Sequence, residues 1–87
     1  MSVVTVYTTA ACPYCRAAKA LLEELEIPYD EVPLDGREAL RRELGERLGG
    51  WRTVPMIFVG ERFVGGFSEL RELHLRGELL PLVQPRN

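Results

Sequence analysis

The feature that most constrains this chain is an early switch of hydrophobic period, from two to about 3.6 and back again. Val3 to Thr8 reads Val-Val-Thr-Val-Tyr-Thr, rich in β-branched and aromatic residues, and predicts a short buried strand. Pro13 suits a first helical position, and Ala18, Leu21, Leu22 and Leu25 then recur at helical spacing until Pro28, which predicts a helix from about Pro13 to Glu26. Tyr29 to Leu34 predicts a second strand. Strand, helix and strand in that order make a βαβ unit, whose crossover is right-handed in nearly all proteins.

The remaining residues extend this unit. Asp35, with Glu38 three residues on, resembles a helix cap, and Leu40, Leu44 and Leu48 give the helix that follows an apolar stripe ended by Gly49 and Gly50. Glu38 with Arg42, and Glu43 with Arg47, stand four apart and predict ion pairs on its wet side. Pro55–Val59 and Arg62–Val64 predict a hairpin through Gly60-Glu61, and Ser68 is expected to cap a last helix through Leu75, with Leu70 and Leu73 facing inward and Gly77 stopping it. Glu78 to Asn87 is expected to pack Leu79, Leu80 and Leu82 loosely and then fray. The order βαβαββα, without repeats or linkers, fits one α/β domain over residues 1–87, because 87 residues support a single core.

Charge and cysteine usage narrow the function. A net charge of −2 disfavours nucleic acid, whose binding requires clustered positive charge, and no apolar run approaches the ~20 residues of a membrane span. The N-terminus lacks the positive region and long apolar stretch of a signal peptide, so a cytoplasmic location is expected. Cys12 and Cys15 are the only cysteines. They are too few for a secreted disulfide scaffold, and the ring they would close is too small to restrain the unfolded chain.

Cys12-Pro13-Tyr14-Cys15 falls where the first strand hands over to the first helix. Unpaired backbone N–H groups and the positive end of the helix dipole stabilise negative charge there, so the Cys12 thiolate is favoured, and a thiolate is the nucleophile of disulfide exchange. Cys15 lies three residues on, within reach but deeper, and is placed to resolve a mixed disulfide. A zinc site needs four ligands, and beyond these two sulfurs the sequence offers only His74 and carboxylates, so no metal is expected.

Three motifs in order, Val6-Tyr7-Thr8 with Cys12-Pro13-Tyr14-Cys15, then Thr53-Val54-Pro55, then Gly65-Gly66-Phe67-Ser68-Glu69-Leu70, resemble the glutaredoxins over nearly the whole chain. The resemblance implies the thioredoxin fold, a four-stranded mixed sheet flanked by three helices, with a cis bond before Pro55. It also implies glutathione as co-substrate, with no permanently bound cofactor, and a binding set of Tyr14, Arg42, Arg52, Thr53, Val54, Pro55, Gly66, Ser68 and Glu69.

In that set Val54 pairs with the backbone of a bound peptide and the N–H groups at Ser68 take the γ-glutamyl carboxylate. Glu69, where the family often has Asp, pairs with the ammonium group. Many relatives have Lys or Arg three residues before the first cysteine; this chain has Thr9, and Arg42 and Arg52 match other positions used for the glycyl carboxylate. From the residues alone Ser68 is a plain helix cap, Arg42 and Arg52 are solvated charges and His74 is inert surface, while Trp51 either flanks the groove or covers the end of the second helix, with packing favoured. Tyr14 either packs against glutathione or only shields the sulfur.

The expected function is glutathione-dependent reduction of protein disulfides and glutathione mixed disulfides by a monomer, through Cys12 and then Cys15. Its partners are glutathione and disulfide-containing or glutathionylated proteins. One rival is an electron donor of the same fold reduced directly by a flavoprotein reductase or another small thiol. Another is a carrier in which two chains share a glutathione-ligated 2Fe–2S cluster, which Pro13 disfavours by resemblance because cluster-binding relatives usually have a smaller residue there.

Overall fold

The computed structural model describes residues 3–84. Its elements are β1 (Val4–Thr8), α1 (Pro13–Glu24), β2 (Tyr29–Pro33), α2 (Glu38–Arg47), β3 (Met56–Val59), β4 (Arg62–Gly65), α3 (Phe67–Leu75) and α4 (Leu79–Val83). The four strands form one sheet in the order β2-β1-β3-β4, so β2 and β4 are outermost. β1 runs parallel to β2 and antiparallel to β3, and β3 is antiparallel to β4.

Alternation along the strands divides the interior into two halves, since successive side chains leave a strand on opposite faces. Val4 and Val6 of β1 and Ile57 and Val59 of β3 meet Ala18 and Leu22 of α1, Leu70 of α3 and, from α4, Leu79 and Val83. On the other face Met56 joins Leu34 and Leu44, with Tyr7, Phe58 and Phe63 packed alongside. Helices α1, α3 and α4 thus cover one face and α2 the other.

Several local expectations change. Helix α1 stops at Glu24 because Glu26 takes a left-handed backbone (φ 57°), with its N–H bonded to Glu23 O at 3.0 Å and the Ile27 N–H to Leu22 O at 2.9 Å. This closes the helix as a Schellman turn before Pro28 is reached. Helix α2 begins at Arg37, which makes no side-chain cap, and Asp35 bonds elsewhere. Neither Glu38–Arg42 nor Glu43–Arg47 is among the ion pairs of the described residues, which are Lys19–Glu31 and Arg76–Glu72. Glu38, Arg42, Glu43 and Arg47 are all exposed, and for such fully wet pairs side-chain entropy outweighs the small attraction.

The tail also differs. Instead of loose packing it forms the short helix α4, burying Leu79 and Val83 fully in the core while Leu80 stays 51% exposed. Fraying expected at residues 85–87 lies outside the described residues.

Candidate active site

Strand β1 ends at Thr8, and the loop from Thr9 carries the chain to the N-terminus of α1, where Cys12 is the N-cap residue and Pro13 opens the helix. Cys12 has extended backbone angles (φ −132°, ψ 101°), so its side chain turns back over the first helical turn. Its Sγ accepts the Cys15 N–H at 3.0 Å, a polarised donor aimed at the sulfur. On the other side the Cys12 thiol donates to Val54 O at 3.6 Å. The loop is held by Asp35, whose carboxylate accepts the Ala10 N–H at 3.2 Å. Asp35 lies 25 residues from Ala10, and nothing local in the sequence marks the contact.

Both cysteines are free, and their depths differ in the expected sense: Cys12 is 6% exposed and Cys15 1%. Burial, and then the hydrogen bond with the Cys12 sulfur, push the Cys15 thiol up to about 12 from an ordinary 9.0. At neutral pH Cys15 is therefore a proton-bearing reserve, not a competing nucleophile.

Opposite Cys12, the Val54–Pro55 peptide bond is cis. A groove of about 320 Å³ brings together Tyr14, Thr53, Val54, Pro55, Gly66, Ser68 and Glu69, seven of the residues singled out from the sequence, and adds Trp51 and Phe67. Tyr14 is 64% exposed and lies over Phe67, with ring centroids 6.4 Å apart.

Helix α3 starts two residues earlier than the sequence implied at this groove. Gly66, not Ser68, is the N-cap residue; Ser68 sits inside the first turn and is exposed. Glu69 turns back so that its Oε1 accepts the Gly66 N–H at 2.7 Å, which fixes the carboxylate against the loop and leaves Oε2 outside that bond. Gly65 makes this approach possible. Its φ of +129° favours glycine, and a Cβ there would stand 2.7 Å from Glu69 Cγ.

Arg42 and Arg52 do not line this groove. They line a neighbouring hollow of about 470 Å³ with Arg41, and Arg41 Nη2 donates to Arg52 O at 3.1 Å. Trp51 walls both hollows and packs edge-on against Phe63 at 5.1 Å, so it serves packing and site together. Its loop is drawn onto α2 at Gly45, whose carbonyl accepts the N–H groups of Gly50 (2.8 Å) and Trp51 (3.2 Å), and a Cβ on Gly45 would come within 2.5 Å of Trp51 O. His74 lies half-buried on α3 outside the groove, and Thr9 brings no cation to the loop.

A sulfur that caps a helix with an N–H aimed at it, a buried partner thiol one turn deeper and a cis-proline loop facing the first define a thiol–disulfide oxidoreductase of the thioredoxin fold. Residues 4–64 match the family model "Glutaredoxin". The chain is 43% identical over 84 residues to glutaredoxin 3 of Escherichia coli, covering 97% of this chain and 100% of that protein. It superposes on the buckwheat glutaredoxin–glutathione complex with a TM-score of 0.89 at 30% identity, covering 94% of this chain and 76% of that one. Against glutaredoxin from Brucella melitensis the TM-score is 0.86 at 39% identity, covering 97% and 90%. The chain belongs to the glutaredoxin family, and its activity is that of a glutathione-dependent thiol–disulfide oxidoreductase.

Proposed function

We propose that the groove beside Cys12 seats the glutathione moiety of a mixed disulfide, that Cys12 is the attacking sulfur and that Cys15 resolves. The single observation that carries this reading is the asymmetry of the two sulfurs. One is at the helix end with an N–H aimed at it, and the other is buried and held as a thiol.

The buckwheat relative is described as a complex with glutathione, and the groove here has the matching chemistry. The Val54 backbone can pair with the ligand's cysteinyl residue as a neighbouring strand would. Free N–H groups at the start of α3 suit the γ-glutamyl carboxylate, and the outer oxygen of Glu69 suits its ammonium group. Arg42 and Arg52, one hollow away, suit the glycyl carboxylate if the tripeptide extends past Trp51.

In the monothiol cycle the Cys12 thiolate attacks the glutathione sulfur, the protein thiol departs, and a second glutathione frees Cys12 as glutathione disulfide. With dithiol substrates Cys15 displaces the substrate from Cys12 and the resulting bridge is reopened by two glutathiones. We further assign the chain a cytoplasmic setting on its cysteine usage, and one domain over these 87 residues on the size of core they support.

Turnover of a small glutathione mixed disulfide, driven by glutathione and its reductase, tests the proposal. Cys12→Ser is expected to abolish it and Cys15→Ser to retain it. Turnover that survives Cys12→Ser would overturn the choice of nucleophile.

A further inference from the structure

Lys19, the only lysine of the chain, lies one helical turn beyond Cys15 on α1, four residues on and therefore on the same side of the helix. Its Nζ is 3.1 Å and 3.3 Å from the two carboxylate oxygens of Glu31, which projects from the neighbouring strand β2. The buried Thr8 hydroxyl, at the end of the strand that leads into the cysteine loop, donates to Glu31 Oε2 at 2.7 Å. Thr8 first, and Lys19 after it, hold the Glu31 carboxyl below its usual range, so the clamp on Lys19 is charged at neutral pH.

A free lysine at this position would extend its flexible stem into water. Here the ammonium is tied down next to the helix turn that carries Cys15. The charges that bear on Cys15 are the Cys12 sulfur and Lys19, with a backbone hydrogen bond at Thr9, and Glu31 faces Lys19 from β2.

We propose that Lys19, held by Glu31 and Thr8, is a positioning residue for the second chemical step, its ammonium offsetting the negative charge that Cys15 takes on as it attacks Cys12. This rests on the proposed roles of the two sulfurs. In that step the Cys15 thiol gives up its proton, its sulfur bonds to Cys12, and the Cys12–substrate bond breaks. The substrate sulfur leaves with the electron pair and takes up a proton, so Cys15 is oxidised, Cys12 exchanges one disulfide partner for another, and the substrate sulfur is reduced. The first step, attack by Cys12 on the substrate, involves no charge on Cys15 and does not need Lys19.

A symmetrical nitroaryl disulfide mixed rapidly with the reduced full-length chain separates the two steps. Attack by Cys12 releases one coloured thiolate, and closure by Cys15 releases a second. Lys19→Met is expected to leave the first release unchanged and to slow the second about fivefold to tenfold at neutral pH, with its pH-rate midpoint moved upward. Lys19→Arg restores the second release to within about twofold, because it returns the cation. Glu31→Gln, which leaves Lys19 unclamped, slows closure by an intermediate factor.

Equal slowing of both releases by Lys19→Met, no slowing of the second, or failure of Lys19→Arg to rescue it would each overturn the proposal. Failure of the underlying assignment looks different: Cys12→Ser would still give a fast first release, or Cys15→Ser would still give the second.

Discussion

Cys12 and Cys15 are three residues apart and chemically alike, yet the fold gives them opposite surroundings. Cys12 caps the helix; Cys15 is sealed beneath it, with its thiol pushed up to about 12. At pH 8 the buried Cys15 thiol keeps its proton, so iodoacetamide is expected to label Cys12 alone, as counted by mass spectrometry of the intact chain. A second label appears only as the pH approaches 12 or on unfolding, and comparable labelling of both sulfurs at pH 8 would contradict the burial argument. The linkage has a definite sign. The folded chain holds this proton more tightly than the unfolded chain, so the contribution to stability is fully present below about 9 and is lost as the pH rises towards 12. Gly65 makes a second residue-scale case. Gly65→Ala places a methyl group against Glu69 and forces a left-handed alanine, which should cost about 1–3 kcal/mol of stability and weaken glutathione binding in the same variant. Denaturant melts together with a glutathione titration check both effects. The cysteine pair could be read from sequence because its chemistry is local. The Asp35 contact to Ala10 could not, because strand pairing, not proximity in the chain, creates it.

At the scale of elements, periodicity carried the reading where an element has one wet and one dry side. Helix α1 and strands β1 and β3 stand within a residue or two of their expected places for that reason. Ends were harder to read, because caps depend on which backbone groups are left free in three dimensions. Ser68 has the right chemistry for a cap, but β4 delivers the chain to α3 at Gly66, and Glu69 completes that turn. Glu26 closes α1 in a conformation that an L-residue adopts at a cost of about 1–2 kcal/mol, partly offset by the greater unfolded-state freedom of glycine. Glu26→Gly is therefore expected to stabilise the chain by about 0.5–1 kcal/mol, which at this size raises Tm by a few degrees. A scanning-calorimetry Tm equal to or below that of the parent would show that the turn carries no such strain.

For the molecule as a whole, the tail is the largest departure from the sequence reading. Five residues of α4 are too few to carry a helical period, yet Leu79 and Val83 join the core to which α1 and α3 contribute. Leu79→Ala leaves a void in a fully buried position and should cost about 2–5 kcal/mol, a large share of what an 87-residue domain possesses. Urea melts should show a lower midpoint with unchanged slope. A loss below about 1 kcal/mol would mean that the helix is only laid against the domain.

Trp51 has a different kind of consequence. It is the only indole in the chain and forms a wall of both hollows. Its fluorescence is thus a built-in optical gauge: occupancy of either hollow changes the polarity around one chromophore, so emission can follow ligand arrival in the unlabelled protein.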